Sequence, residues 1–430
     1  MADAVRRADT HESWYARSTP PLPAQPRLLG RERVDVAILG GGLTGLSTAL
    51  ELAGSGRTVA IVDAGAIGGG ASGRNGGQVI FGFGCDQAVL RRAVGPTLAR
   101  EMFDWSLEGV ALVRERIATH GIDAHWRDGH AHVAIRPRQV AMLHAWQQEL
   151  LDDHGYPLQW WDSERLRATL DSPRYLGGLY DPKSGHLHPL AYTLGLARAA
   201  LAQGVELFEL SPVVRLERGT RPVLHTADGA LEADHVVLAG NALVHGIAPE
   251  LDRRIMPVGT YVGATEPLDP DVARSLIRND MAVADVNWAL DYFRLGHDHR
   301  LLFGGRASYS TLPPPDLPGT MRRRMTRVFP QLAGVGFDHV WGGFVDISRN
   351  RAPHWGRLGA NVWFAQGFSG HGVAATGLAG RVIAEAIRGQ SERLDAFAKI
   401  PHRDFPGGRA LRTPLLVAAM AWFKLRDALG

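Results

Sequence analysis

The sequence is poor in the features that mark disulfide-stabilised, secreted or membrane-spanning proteins. It contains a single cysteine, Cys85, in 430 residues, which excludes an intramolecular disulfide and any zinc site built on cysteine pairs. The longest apolar run near the C-terminus, residues 415–423, is far shorter than the ~20 residues needed to span a bilayer. Residues 1–26 lack the apolar stretch of a signal peptide. We therefore expect a cytoplasmic protein with no integral membrane segment.

The chain also has little excess charge. Its 47 Lys and Arg residues nearly balance its 44 Asp and Glu residues, which gives a formal net charge of +3. No basic tract with interleaved aromatic residues occurs, so nucleic acid is not an expected partner. A basic run at 322–324, extended by Arg327, is expected to form a solvated helix face. The length and a hydrophobic fraction of 45% predict a globular protein of two or three domains.

Glycine, by contrast, is abundant, with 51 residues in the chain. Residues 34–39 form a short apolar run typical of a buried parallel strand, and the spacing Gly40-x-Gly42-x-x-Gly45 follows it directly. Periodic leucines then predict a helix, and a second apolar strand at 58–62 ends at Asp63. Together these segments make the dinucleotide-binding fingerprint of a βαβ unit.

Each part of this fingerprint has a physical reason. Gly40 permits a tight turn, Gly42 lets the backbone approach a pyrophosphate, and Gly45 lets the helix pack closely on the strand. The pyrophosphate then faces the positive end of the helix dipole. Because Asp63 can accept hydrogen bonds from ribose hydroxyls and would repel a 2′-phosphate, FAD or NAD is expected and NADP is not.

A second glycine-rich segment, residues 65–84, contains the run ASGRNGGQ at 71–78. Such a run favours a loop that lies close against a flat or charged ligand. Five more stretches accompany it: GHLHP, VLAGNA, TEPL, LLFGG and QGFSGHG at 185–189, 237–242, 265–268, 301–305 and 366–372. The combination resembles FAD-dependent oxidoreductases of the D-amino-acid oxidase and glycine oxidase group, from about residue 14 to the end of the chain. Within that group the loop is similar to the gamma-glutamylputrescine oxidase branch.

The resemblance implies an α/β fold in which a Rossmann-type FAD-binding domain is interleaved with a substrate domain of antiparallel β-sheet plus helices. Nucleotide-type segments at the start, middle and end of the chain are the pattern behind this expectation. The expected divisions are an N-terminal arm at 1–32, FAD-binding segments at 33–100, 185–248 and 340–400, substrate segments at 101–184 and 249–339, and a helical tail at 401–430.

The resemblance also implies the residues that hold FAD. They are Gly40, Gly42, Leu43, Thr44, Gly45, Asp63, Ala64, Ser72, Arg74, Asn75, Gly76, Gly77, Gln78, Val213, Gly240, Gly367, Gly370, His371, Gly372 and Val373. Related sarcosine oxidases anchor the flavin through a cysteine. The second half of this chain has no cysteine, so non-covalent FAD is expected.

The implied chemistry is oxidation of a C–N bond in an amine or amino acid, with gamma-glutamylputrescine as an example. Hydride passes to the flavin, and the resulting imine hydrolyses to an aldehyde or keto product and ammonia. Dioxygen then reoxidises the flavin and yields hydrogen peroxide. Two alternatives stay open: a dehydrogenase that passes electrons to a carrier, and a non-catalytic flavin-binding subunit. The sequence does not decide the oligomeric state.

Candidate active-site side chains follow from position and chemistry. His371 lies between glycines at the expected ring-facing turn and is the catalytic candidate; a structural histidine bonded to the backbone is the alternative. Arg349 and Arg351 are candidates for binding a substrate carboxylate, with two solvated loop arginines as the alternative. Tyr261, Trp288 and Tyr292 are candidates for lining the substrate pocket. The pairs His130-x-His132 and His186-x-His188 lack a nearby acid or cysteine, so no metal is expected.

Overall fold

Two β-sheets organise the fold, as described by a computed structural model that covers residues 13–244, 246–287, 290–308 and 315–406. One sheet has eight strands and the other has nine. The strands, in chain order, are β1 (Gly30–Leu39), β2 (Val59–Val62), β3 (Gln78–Val79), β4 (Arg127–Ala134), β5 (Gln159–Asp162), β6 (Gly177–His186), β7 (Glu206–Phe208), β8 (Arg215–Glu217), β9 (Val223–His225), β10 (Gly229–Leu238), β11 (Ile255–Thr265), β12 (Ala282–Asp285), β13 (Asp291–Leu295), β14 (Leu301–Ser308), β15 (Phe337–Ser348), β16 (His354–Leu358) and β17 (Val362–Gln366).

Twelve α-helices accompany these strands in the part of the chain that is described. They are α1 (Trp14–Arg17), α2 (Leu43–Ala53), α3 (Gln87–Val94), α4 (Pro96–Thr119), α5 (Pro137–His154), α6 (Ser163–Thr169), α7 (Pro189–Ala202), α8 (Pro249–Asp252), α9 (Pro270–Leu276), α10 (Leu317–Val328), α11 (Gly372–Ile387) and α12 (Glu392–Ala398). None of the helices within these ranges is both long enough and apolar enough to cross a membrane.

The first sheet has the strand order β16-β17-β10-β1-β2-β7, with β8 and β9 attached at β10. Its central strands β17, β10, β1, β2 and β7 run parallel. Val36, Ile38 and Ile61 belong to one hydrophobic cluster, and Ala37 and Val62 belong to another. Parallel strands that are buried on both faces consist of nearly continuous apolar residues. The apolar runs at 34–39 and 58–62 therefore predicted β1 and β2.

Helices α2 and α11 begin at the same edge of this sheet. Each helix follows directly on the carboxyl end of a central strand, α2 after β1 and α11 after β17. They pack closely because Gly380 has no side chain; a Cβ there would lie 2.4 Å from the Cβ of Ser47. The positive ends of two helix dipoles therefore meet at one edge of the sheet.

The second sheet has the order β15-β11-β14-β13-β12-β4-β6-β3, with β5 on β6. Its pairs are antiparallel except β4 with β12, which run parallel, so the sheet is mostly antiparallel, as expected, with one parallel pair. One face packs on α10 through a cluster that includes Met325, Phe293 and Phe303. The other face contributes Val262, Leu302 and Trp341 to the largest cluster, shared with α2 and α11.

The chain alternates between the sheets, which supports the expected interleaving of two domains. Three predicted boundaries do not match the strands. Strands β3 and β15 lie in the second sheet, although residues 78–79 and 340–348 were expected in FAD-binding segments, and β6 continues to His186. The division into segments remains a proposal, with its last boundary moved to follow Ser348. Residues 1–12 of the expected N-terminal arm and residues 407–430 of the expected helical tail lie outside the described residues.

Candidate functional site

The first strand-to-helix turn has the geometry that its glycines predicted. Gly40 has a φ of +108°, in the range that favours glycine. A Cβ on Gly45 would lie 2.0 Å from the carbonyl oxygen of Gly40, and a Cβ on Gly42 would lie 2.7 Å from the Oγ of Ser72. These approaches leave no room for side chains, so the backbone alone forms the surface of the turn.

The start of α2 presents amide groups at this surface. The amide of Leu43 donates to the Oγ of Ser72 at 2.9 Å. No protein acceptor is found within the described residues for the amides of Thr44 and Gly45. Unpaired amides in the first turn of a helix, reinforced by its dipole, form an anion-binding position.

Asp63 follows β2 and connects the two glycine-rich segments. Its Oδ2 accepts from the amide of Gly41 at 2.7 Å, and its Oδ1 accepts from Gly65 at 2.8 Å. Burial raises the pKa of Asp63 despite these bonds. Each carboxylate oxygen has a second lone pair, so the side chain retains acceptor capacity for a ribose hydroxyl. Ala64, beside it, is exposed.

Two more predicted positions lie near this edge. Val213 belongs to a segment tied to β2, because the amide of Ser211 donates to the carbonyl of Asp63 at 2.8 Å. Gly240 follows β10, and a Cβ there would lie 2.7 Å from the side chain of Leu39. The structure thus brings predicted cofactor residues that follow β1, β2, β7 and β10 to the carboxyl edge of the parallel sheet, which is the usual ligand edge of this fold.

The loop at 71–78 is fixed largely by its own side chains. Asn75 donates from Nδ2 to the carbonyls of Ala71 and Ser72, and its Oδ1 accepts from the amide of Gly77 at 2.8 Å. Arg74 is buried, and its Nε donates to the carbonyl of Gly342 at 2.6 Å. The side chain of Asn75 therefore stabilises the loop itself.

Two side chains of the second sheet, those of Tyr292 and Arg294, contact the same loop. A Cβ on Gly76 would lie 2.5 Å from the ring of Tyr292. Arg294, only 4% exposed, donates from Nε to the carbonyl of Gly76 at 2.7 Å and from Nη2 to the hydroxyl of Tyr15 at 3.1 Å. Tyr15 is completely buried and lies on α1. Sequence reasoning missed Arg294; no local motif marks it.

The third predicted contact region is the turn before α11. Gly367 and Gly370 have φ values of +78° and +84°, which favour glycine at both positions. His371 caps the helix, and its Nε2 lies 2.7 Å from the carbonyl oxygen of Phe81. Gly372 and Val373 begin α11 itself. Burial lowers the pKa of His371, so the ring is a neutral donor to Phe81 near pH 7.

Asp346, which no sequence motif marks, orients this turn. The carboxylate is 2% exposed and accepts from the amides of Gly367 at 2.5 Å and Phe368 at 3.1 Å. The carbonyl of Asp346 also accepts from the amide of Ser369 at 3.0 Å. Burial raises the pKa of Asp346 to about 7 against these hydrogen bonds.

This raised pKa predicts a pH-dependent stability. The folded protein holds a proton on Asp346 that the unfolded chain loses near its ordinary value of 3.8, so this stabilising contribution is complete below about pH 4 and is lost as the pH rises to about 7. Asp346→Asn removes the titration. Between pH 5 and pH 7 the free energy of unfolding of the wild type, measured in urea, should therefore fall by about 2 kcal/mol relative to that of Asp346→Asn. Parallel curves for the two proteins over this range would contradict the assignment.

The substrate candidates are separated by the second sheet. Tyr292 lies opposite Gly304 and Tyr261 lies opposite Gly305, so the two tyrosines occupy opposite faces. Tyr292 is on the face that contacts the loop at 71–78, whereas Tyr261 is on the other face. Trp288 lies outside the described residues.

The two candidate arginines also differ in their surroundings. Arg349 is exposed in the turn after β15. Arg351 is half-buried, and its Nη2 donates to the carbonyl of Ser369 at 3.4 Å, two residues before His371. The structure thus brings Arg351, and not Arg349, to the turn that starts α11.

The histidine pairs do not assemble a metal site among the described residues, where no group of three or more potential ligands is found. His130 and His132 stack edge to face with centroids 4.5 Å apart. His186 lies 2.6 Å from the carbonyl of Asp280, and His188 caps α7. Burial lowers the pKa of all four imidazoles.

The assembled residues fit FAD. The bare backbone at Gly40–Gly42 and the amides of α2 suit a pyrophosphate, and Asp63 suits a ribose. The loop at 71–78 runs from that turn toward the start of α11, and the second helix dipole there favours negative charge on a flavin.

Comparison with known proteins agrees with this geometry. Residues 35–386 match the family model DAO, described as FAD dependent oxidoreductase. The chain is 42% identical to gamma-glutamylputrescine oxidoreductase of Escherichia coli (strain K12) over 97% of its length and 98% of the relative. It is 42% identical to a probable oxidoreductase, OrdL, of Haemophilus influenzae over 94% of each chain.

Among solved structures, glycine oxidase from Geobacillus kaustophilus superposes with a TM-score of 0.73 at 22% identity. The match covers 86% of this chain and 99% of that one, and at that identity it shows a shared fold. The expected resemblance and fold class are thus confirmed. The chain belongs to the DAO family of FAD-dependent oxidoreductases.

Proposed function

We propose that this protein is an oxidase that uses non-covalently bound FAD to oxidise a C–N bond of gamma-glutamylputrescine or a close analogue. The observation that carries the proposal is the end-to-end 42% identity to gamma-glutamylputrescine oxidoreductase, on a chain whose turns and loops fit FAD. Dioxygen as the acceptor and a cytoplasmic location are parts of the same proposal.

Non-covalent attachment is supported by the state of the one cysteine. Burial raises the pKa of the Cys85 thiol to about 12, and a thiol, unlike a thiolate, is a poor nucleophile. Cofactor binding would then rest on the turn at Gly40–Gly42, on Asp63 and on the loop at 71–78.

When bound, FAD supplies the hydride acceptor for the amine carbon. The protein has to hold the ring and orient the substrate. Asp346 fixes the turn at 367–369, and α11 directs its positive end at the same place. His371 remains our catalytic candidate. Because its Nε2 is engaged by Phe81, we propose that it acts as a neutral, fixed side chain and not as a cation.

Arg351 is the side chain that we propose for the substrate carboxylate. It lies at the turn before α11, and a guanidinium pairs well with a carboxylate. Arg351→Ala should raise the KM for gamma-glutamylputrescine at least about tenfold and leave that for putrescine, which has no carboxylate, nearly unchanged. Steady-state kinetics on both substrates provide the measurement.

Arg349→Ala is the matched control, since it removes the same charge two residues away from an exposed position. We expect less than a twofold change in either KM. Equal effects of Arg351→Ala on both amines, or equal effects of the two variants, would refute the role of Arg351.

Anaerobic reduction of the purified flavoprotein tests the function itself. Gamma-glutamylputrescine should bleach the oxidised flavin spectrum, and it should do so faster than putrescine, glycine, sarcosine or D-amino acids. Under air, one hydrogen peroxide should form for each amine oxidised. Bleaching without peroxide would indicate a dehydrogenase instead, and an oxidised spectrum across the whole panel would indicate a non-catalytic flavoprotein.

A further inference from the structure

A cavity lies on the second sheet, away from the loop at 71–78. Its volume is about 720 Å³, within the range of ~300–1,000 Å³ that is usual for small-molecule sites. Its walls come from the start of α5, the segment before β6, the segment after β12, and α10. The charged residues in these walls are Arg136, Arg138, Arg174, Asp291, Arg324 and Arg327.

This cavity, which we call the arginine pocket, lies on the face of the second sheet opposite the loop at 71–78. Asp291 and Tyr292 are consecutive in β13, so their side chains point to opposite faces of the sheet. Tyr292 lies against Gly76 on one face, whereas Asp291 and Arg324 lie beside Gly305 on the other. The arginine pocket is therefore separated from the loop at 71–78 by the thickness of the second sheet.

Positive charge in the pocket is largely uncompensated. One carboxylate, Asp291, faces five guanidinium groups, and it is already bonded to the Nε of Arg324 at 2.6 Å. Arg138, Arg174 and Arg327 make no side-chain hydrogen bond or ion pair within the described residues. The Nε of Arg174 is in addition buried without an acceptor, a state that costs free energy unless a ligand supplies one.

The expectation of a solvated helix face at 322–327 needs correction at Arg324 only. Arg322 and Arg323 do lie exposed, the first on the carbonyl of Ala333 and the second paired with Asp316. Arg327 is also exposed and lines the arginine pocket, whereas Arg324 is half-buried and paired with Asp291. Helix α10 thus contributes Arg324 and Arg327 to the cavity lining, whereas Arg322 and Arg323 lie outside it.

We propose that the arginine pocket binds a small polyanion that carries at least two carboxylate or phosphate groups. Guanidinium groups pair with both kinds of oxyanion through two parallel hydrogen bonds. Four uncompensated positive charges around one cavity favour a multivalent ligand over a single carboxylate. A volume of about 720 Å³ favours a small molecule over an extended nucleic acid.

Calorimetric titration of the flavin-loaded enzyme tests this proposal. FAD is kept in excess so that pyrophosphate cannot enter the cofactor site, and the ionic strength is low and constant. Pyrophosphate and citrate are the probes, with acetate as the monovalent reference. We expect saturable binding of one pyrophosphate or citrate per chain and no saturation by acetate. Tighter pyrophosphate binding would identify a phosphorylated ligand, and tighter citrate binding a polycarboxylate.

Two double variants separate the pocket from general surface charge. Arg138→Ala with Arg327→Ala removes two exposed pocket arginines, and should weaken binding at least about tenfold. Arg322→Ala with Arg323→Ala removes the same charge from the solvent side of α10, and should change binding less than twofold. Absence of saturable binding, or equal losses in both double variants, overturns the proposal. Amine oxidation in all of these proteins is measured separately, so failure here leaves the proposed activity unaffected.

Discussion

Gly42→Val is expected to give a protein that purifies without its yellow cofactor. A Cβ at this position would lie 2.7 Å from the Oγ of Ser72, and a branched side chain would fill the space above the first turn of α2. The backbone could then no longer approach a pyrophosphate. We expect the dissociation constant for FAD to rise at least about a hundredfold, or about 3 kcal/mol.

The ratio of flavin to protein absorbance after purification gives a first measurement, and titration of apoprotein with FAD gives the affinity. Gly70→Ala is the matched control in the neighbouring loop, since its φ is −80° and a Cβ there meets no atom within 4 Å. It should bind FAD as the wild type does. Retention of stoichiometric FAD by Gly42→Val would remove the central support for a dinucleotide at this turn.

Arg294→Met is expected to have the second largest effect, on stability and on cofactor retention together. The guanidinium is 4% exposed and donates to the carbonyls of Gly76 and Leu295 and to the hydroxyl of Tyr15. Methionine preserves much of the volume but leaves three buried acceptors without donors. Because each such acceptor costs about 1–3 kcal/mol, we expect the free energy of unfolding to fall by about 3 kcal/mol.

Urea unfolding with excess FAD measures the stability, and the rate of FAD release on dilution measures retention. Tyr15→Phe removes only the hydroxyl and should cost about 1 kcal/mol. Arg278→Met is the surface control: Arg278 is exposed and also bonds backbone carbonyls, those of Arg167 and Ala168. We expect its cost to stay under about 0.5 kcal/mol. Similar losses in Arg278→Met and Arg294→Met would show that the buried link to Gly76 has no special role.

The residues that the sequence could predict are those whose role is decided locally. Gly40, Gly42 and Gly45 act through a turn of a few residues, and Asp63 follows a strand whose apolar run is unmistakable. Helix α11 spans Gly372–Ile387, where a glycine turn precedes a largely apolar stretch.

The residues that it could not predict depend on contacts between distant segments. Arg294 meets Gly76 across 218 positions of sequence, and Asp346 meets the turn at Gly367 from a different sheet. Tyr261 and Tyr292 both look like pocket residues in the sequence, yet strand register places them on opposite faces. A shift of one residue reverses the face of every side chain in a strand, and no local pattern sets that register here.

The interleaving of the two sheets has a consequence for biosynthesis. Strand β1 emerges early from the ribosome, but its neighbour β10 begins at residue 229 and the edge pair β16–β17 is complete only at residue 366. The edge of β1 that pairs with β10 must therefore stay unpaired until more than half of the chain has been synthesised, although β2 can already pair with its other edge. Long-range pairing of this kind slows folding and exposes aggregation-prone surface. Overproduction at low temperature with added chaperones should accordingly raise the soluble yield, and neither half of the chain should fold when produced alone.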